Sequence, residues 1–130
     1  MNPTEAPPVA PTTSAEAREL IDLAPAILRQ HIGPDGVGTP GAVDVTEVMR
    51  ASDFFRTVGC TRRIPWTDSY RAKHDIERHY ARAGVYVSNG AAIVAAVGLG
   101  IRWRPIPLRD RRNVELRLRR VRRRAGKGVS

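Results

Sequence analysis

The chain has 130 residues, 42% of them hydrophobic but only 5% aromatic, which is one domain's worth of sequence with a core built mainly from Ala, Val, Ile and Leu. A single cysteine, Cys60, excludes an intrachain disulfide and suits a reducing interior, while the longest apolar stretch, residues 91–101, is broken by Gly98 and Gly100 and falls short of the roughly 20 residues of a membrane span. The net charge of +9 is unevenly held: residues 1–60 carry 4 basic and 8 acidic groups (−4), and residues 61–130 the other 18 basic and 5 acidic (+13), an asymmetry that points to nucleic acid or another polyanion and gives no reason to expect a membrane partner.

Residues 1–13 hold Pro3, Pro7, Pro8 and Pro11 and little to bury, so a disordered Pro-rich tail is expected there. It lacks the basic and apolar regions of a signal peptide, which predicts a cytoplasmic protein. A single domain is expected over residues 14–120. Ser14 opens a first helix in which Leu20, Leu23, Ala24, Ile27 and Leu28 recur at helical spacing. Pro25 is expected to kink that helix or restart it, and Gly33-Pro34-Asp35-Gly36 to stop it. His31 is placed at its C-terminus as a structural residue. Residues 33–43 read as a flexible loop; Gly36-Val37-Gly38 lacks the preceding strand and third glycine of a phosphate-binding turn. A second helix follows, capped by Asp44 or Thr46, with Val48, Met49, Phe54 and Phe55 as its apolar side.

Residues 61–66 read as a turn into a third helix, with Ile64 and Trp66 holding it down and Thr67 as its cap. Tyr70, Ile76, Tyr80 and Ala83 form its apolar face, Arg71, Lys73, Arg78 and Arg82 a basic surface, and Gly84 its stop. The same helix carries His74, Asp75, Glu77 and His79. Asp75 and His79 stand at i and i+4, a spacing that can set two metal ligands or orient an imidazole. The HExxH spacing is absent and no third ligand is indicated, so a solvated carboxylate–imidazole pair is the plainer reading. No catalytic residue, metal site or cofactor is assigned.

Val85-Tyr86-Val87 reads as a short β segment. Ser88 or Asn89 caps the next helix, Gly90 lets the backbone approach closely, and Ala91–Val97 is apolar on every side, as in a helix buried by its neighbours. From Ile101 to Leu108, Ile101 and Trp103 oppose Arg102 and Arg104, with Pro105 and Pro107 implying an irregular edge strand. Residues 109–113 make a polar turn. Residues 114–119 alternate as a strand, although Val114, Leu118 and Val121 also fit a helical face; the strand reading is taken because it pairs with 101–108 as a hairpin. Residues 121–130 end the chain as a basic tail. The fold class is therefore α+β: three amphipathic helices and one buried Ala-rich helix packed on a small antiparallel sheet or hairpin. A winged helix-turn-helix is disfavoured, because a recognition helix must show polar side chains to base edges and Ala91–Val97 has none.

The segment from Gly84 to about Arg120, GVYVSNGAAIVAAVGLGIRWR followed by NVELRLRR, resembles small uncharacterised proteins of bacteriophages and prophages. These share a strand, an SNGA-type turn, an Ala-rich helix ending in glycine, then Asn and an alternating strand. Ser88, Asn89, Gly90 and Asn113 are the distinctive positions, over about a third of the chain. The resemblance implies a phage or prophage setting and no activity. Tyr86, Ser88, Asn89 and Asn113 are candidates for a shared site, with capping and turn geometry as the other explanation.

The function expected from these features is non-enzymatic binding of DNA or RNA phosphates by the basic C-terminal half. Arg102, Arg104, Arg109, Arg111, Arg112, Arg117, Arg119, Arg120, Arg122, Arg123 and Arg124 are its carriers, since arginine forks suit phosphate. Trp66, Tyr86 and Trp103 can stack on bases or fill the core. The alternative is a protein–protein module, an inhibitor or virion subunit, acting through the Phe54-Phe55 helix or the basic face on an acidic partner.

Overall fold

The structure is a computed structural model that describes residues 9–59, 66–106 and 111–121. Everything in it is arranged round one helix, Asn89–Gly98 (α4). Ser88 caps it, its Oγ accepting from the Ala91 N–H at 3.1 Å. From Ala91 to Val97 no residue is more than 1% exposed. Alanines at 91, 92, 95 and 96 leave neighbouring backbones free to close in, so every side of the helix is covered.

Helix α1 (Ser14–Leu28) lays Ala17, Leu20, Ala24 and Leu28 against that centre, at the three-to-four spacing of one helical face. Its cap is Thr13 rather than Ser14: Thr13 Oγ1 accepts from Glu16 N–H and Glu16 Oε1 accepts from Thr13 N–H, a reciprocal capping box. Those hydrogen bonds from Thr13, backbone first, hold the Glu16 carboxyl below its ordinary pKa. The expected break at Pro25 does not occur. The helix runs through it to a left-handed cap at Arg29 (φ 57°), so His31 lies beyond the helix end with Nε2 2.6 Å from Gly41 O.

The domain also begins earlier than expected. Thr12 is buried, donating its N–H to Asp53 Oδ1 (2.7 Å) and its hydroxyl to Ser52 Oγ (3.0 Å), while Arg56 donates to Thr12 Oγ1. Residues 1–8 of the expected tail, and 122–130 of the basic one, lie outside the described residues.

The segment read as a flexible loop is a packed hairpin, Ile32–Gly33 (β1) against Gly36–Val37 (β2), all four residues buried. Two glycines make it possible. Gly36 sits at φ +127°, where a Cβ would strike the Arg112 carbonyl, and Gly90 N donates to Pro34 O (2.9 Å) where a Cβ would strike the Gly33 carbonyl. The glycines that resembled a flexible linker are sites of close backbone approach.

Helix α2 (Val45–Thr57) starts at its cap Asp44, whose Oδ2 accepts from Glu47 N–H. It buries Phe54 and Phe55, rings 5.7 Å apart and edge-to-face, so this pair is core and offers a partner nothing to dock on. Helix α3 (Ser69–His79) is followed by a short 3₁₀ turn, Ala81–Ala83, and stops at left-handed Gly84. Its cap is Asp68, accepting from Tyr70 N–H; Thr67 belongs to a strand. Lys73, read as basic surface, is 8% exposed, whereas Tyr70, read as apolar face, is 51% exposed.

The sheet has three antiparallel strands in the order β3 (Trp66–Asp68), β5 (Val114–Arg117), β4 (Trp103–Pro105). The β4–β5 hairpin and the strand reading of 114–117 are borne out, and the α+β class with them. Trp66, expected in a turn, and Thr67, expected as a helix cap, instead open the third strand, while Val85–Val87, expected as β, lies outside any sheet. Val114, Leu116, Leu118 and Thr67 form the buried face, with Ser69 Oγ accepting from Val114 N–H to join sheet and α3. No helix among the described residues is long and apolar enough to cross a membrane.

Candidate functional site

The period of two along β5 turns Glu115 and Arg117 to the face opposite Val114 and Leu116. Register then sets their neighbours. Trp66 stands across from Arg117, and Arg117 N donates to Arg102 O, so Trp66, Arg117 and Arg102 form one row across the sheet. Asp68, Glu115 and Arg104 form the next. Arg104 Nε meets Glu115 Oε1 at 2.7 Å, and its guanidinium carbon lies 4.1 Å from the Trp66 ring centroid; that of Arg117 lies 5.7 Å away. The outer face is an indole braced by two guanidiniums, with Glu115 neutralising one of them.

The other arginines named from the sequence divide by place. Arg119 and Arg120 are exposed just past β5, Arg120 bridging to Gly59. Arg111 and Arg112 are exposed on the β4–β5 turn. Arg109, Arg122, Arg123 and Arg124 lie outside the described residues, as does Cys60.

A second feature was not legible as a unit. A cleft of about 560 Å³ opens between the β1–β2 turn, the start of α3 and the start of α4, and is lined by Asp35, Tyr70, Lys73, Tyr86, Asn89 and Asn113, with Pro34 and Arg112 at its edge. It joins three of the four positions singled out by resemblance with a tyrosine and a lysine from α3. Asn89 Nδ2 donates to Asp35 O (3.1 Å) and to Asn113 Oδ1 (2.7 Å), which fixes the orientation of both amides. Asn89 Oδ1, on a side chain 5% exposed, has no partner. Ser88, the fourth position, is used as the helix cap.

Lys73 Nζ lies 4.8 Å from the Tyr86 ring centroid and 5.8 Å from that of Tyr70, and bonds Glu77 Oε2 at 2.9 Å. Glu77 also accepts from Val87 N–H. Burial alone pushes the Glu77 carboxyl up, but the bonds from Lys73 and Val87, with the Lys73 and His74 charges, outweigh it and hold the group below the ordinary carboxylate range.

The helix α3 cluster is dispersed. His79 packs edge-on to Phe54 and Tyr80, His74 sits beside Tyr70 and Glu77, and Asp75 is buried with Arg78 at 3.9 Å. Among the described residues no three His, Cys, Asp or Glu side chains are grouped to hold a metal ion.

Trp66 was named as able to stack on bases but without its arginine neighbours, which register supplies; the cleft residues Asp35, Tyr70 and Lys73 were missed because each gains its place there from tertiary approach. The only local signal was Trp66-Thr67, an aromatic and a β-branched residue in succession. Neither a family model, nor a characterised protein, nor a solved structure matches this chain.

Proposed function

We propose that this chain binds nucleic acid, without catalysis, as a small accessory protein of a phage or prophage. The contact surface is the outer face of the three-stranded sheet and the arginines continuing from it. The observation that carries the reading is the braced indole: Trp66 with the Arg104 and Arg117 guanidiniums over its ring, and Arg102 completing the row. Guanidiniums beside an exposed-face aromatic suit a phosphodiester strand whose bases stack while its phosphates pair. Arg102, Arg117, Arg119 and Arg120 are the phosphate contacts; Arg104, already paired to Glu115, braces the indole. Since α4 is buried from Asn89 to Val97, it offers no polar face to base edges, and binding that rests on phosphate contacts is expected to be tolerant of sequence.

The test is binding of labelled random duplex and single-stranded oligonucleotides at two salt concentrations, full chain beside a chain ending at Val121. Four phosphate contacts predict a slope of log K against log salt of about −3.6 on duplex and about −2.8 on single strands for the truncated chain. Absence of binding at low salt overturns the reading. A nuclease-resistant complex with an acidic protein, with no affinity for oligonucleotides, would instead establish the basic face as a protein-docking surface.

A further inference from the structure

Away from the sheet's outer face, the free edge of β4 holds main-chain groups with nothing to bond. β5 is the only strand beside it. Arg117 N donates to Arg102 O, and antiparallel ladder bonds alternate, so Arg104, opposite Glu115, is the next residue bonded to β5. Trp103 and Pro105 therefore turn their main-chain groups outward, where no described residue meets them. Pro105 has no N–H to leave unpaired there. The edge thus offers one donor, the Trp103 N–H, and two acceptors, the Trp103 and Pro105 carbonyls.

Beside that edge the core is open. Trp103 stands across from Leu116 and Pro105 across from Val114, so both side chains take the core side of the sheet. With Leu28, Val37, Ile106 and Val114 they line a mainly apolar groove of about 460 Å³. Arg111 lines it too, exposed and without a hydrogen bond or ion pair to any described residue. Edge, groove and charge each narrow the occupant. A small apolar acid would fill the groove and meet Arg111 but leave the three main-chain groups unmet. A second copy of β4 would bring another Pro105 without an N–H and set Arg104 beside Arg104. An extended peptide answers all three: its main chain bonds the edge, alternate side chains enter the groove, and a carboxylate meets the guanidinium.

We infer that the β4 edge is a docking site for an extended acidic peptide of a partner protein, added to the sheet as a fourth strand. Two apolar side chains of the peptide, two positions apart, enter the groove beside Trp103 and Pro105, and an Asp or Glu at the end nearest the β4–β5 turn pairs with Arg111. The edge is three residues long and has a single N–H, so main-chain bonds alone hold little, and the groove and Arg111 select the sequence that binds. Arg111 is not among the residues assigned to phosphate contact, and the groove lies on the opposite side of the sheet from Trp66. The inference therefore stands whether or not the chain binds nucleic acid.

The experiment is selection of a displayed library of random octapeptides on the full chain, followed by ¹H–¹⁵N NMR titration with the enriched peptide made synthetically. The two indoles of the chain report separately, Trp103 for the groove and Trp66 for the outer face. The expected consensus has two apolar residues separated by one position, with Asp or Glu at one end, and its binding shifts the Trp103 indole and main-chain amide but not the Trp66 indole. Methylating the peptide's main-chain nitrogens one at a time should weaken binding with a period of two, by about tenfold where the N–H meets the Trp103 or Pro105 carbonyl and little at the positions between. Arg111→Glu, at an exposed site, should leave the melting temperature unchanged and exchange the acid of the consensus for Lys or Arg. No enriched peptide, a consensus without the alternation, shifts confined to Trp66, methylation effects without the two-residue period, or an acid retained against Arg111→Glu each overturn the inference.

Discussion

Stacking and charge can be separated on the sheet face because Trp66 and Arg117 share a row but differ in what they would lose. Replacing Trp66 with Leu keeps an apolar side chain on β3, and the main-chain pairing of Trp66 with Arg117 remains. The variant removes one aromatic platform, which costs single-strand binding about 1–3 kcal/mol, or roughly 5- to 150-fold in Kd. Duplex binding changes far less, since paired bases are already stacked on one another. The salt slope stays constant, because no charge has gone. Arg117→Gln should behave oppositely: a loss on duplex and single strand alike, with the slope shallower by about 0.9 and 0.7 respectively. Fluorescence anisotropy across a salt series reads both quantities, with a thermal melt to confirm that each variant is folded. If Trp66→Leu changes the slope, or lowers duplex and single-strand affinity equally, the indole is not a base platform and the bracing by Arg104 and Arg117 is structural.

Three further substitutions test the packing on which the site depends. Gly90→Ala gains about 1 kcal/mol of helix propensity yet drives a Cβ into the Gly33 carbonyl and parts Gly90 N from Pro34 O; a net loss of about 1–3 kcal/mol in urea unfolding is expected, and a stabilised variant would show that the β1–β2 turn yields. Thr67→Val should raise the melting temperature, by roughly 2–5 °C for about 1 kcal/mol, because the Thr67 hydroxyl is 3% exposed and has no partner; a fall in melting temperature would mean that the hydroxyl is hydrogen-bonded in solution, as to a buried water. Glu77→Gln bears on pH. A carboxyl held below its ordinary value stabilises the fold fully above the unfolded pKa of about 4.3 and loses that contribution as pH falls through the folded value. The variant should therefore be less stable at neutral pH and show a flatter acid limb below about pH 4.3 in guanidinium melts, and an unchanged limb would refute the assignment.

How far the sequence could be read depended on the range of the interactions involved. Ala91–Val97 is apolar on all sides, and only burial satisfies that, so the central helix was legible. The alternation of 114–117 was equally direct. By contrast, Pro25 was read as a break on propensity alone, but the helix carrying it is held on both sides by Leu20, Ala24 and Leu28 against α4, and packing outweighs the missing N–H. The glycines of 33–38 were read as slack when they permit contact with Arg112 and α4, partners 53 to 76 positions away by number. Lys73 looked like surface because its helical neighbours Tyr70 and Glu77 suit a solvated face equally well, and only the fold brings Tyr86 onto its ammonium. Of the arginines named for phosphate, the sequence could mark the charge but could not tell Arg104, tied to Glu115, from Arg102 and Arg117.

That distinction bears on what the basic half of the chain does. Eighteen basic groups in residues 61–130 would suit any polyanion if they were spread evenly over the surface. Instead several of the described ones have distinct places: Lys73 is drawn inward onto Glu77, Arg104 is drawn onto Glu115 and Trp66, Arg102 and Arg117 share a row of the outer face, and Arg119 and Arg120 are exposed just past β5. Side chains on one face of a strand recur about every 6.6–6.8 Å, a spacing close to that of phosphates along an extended single strand, whereas duplex phosphates lie on a curved groove edge that strands of three or four residues meet at fewer points. On the proposed reading, an indole in the same row predicts tighter binding to a single strand than to a duplex. A preference in the reverse direction at matched salt would assign the binding to the arginines of the turn and the C-terminal residues rather than to the sheet.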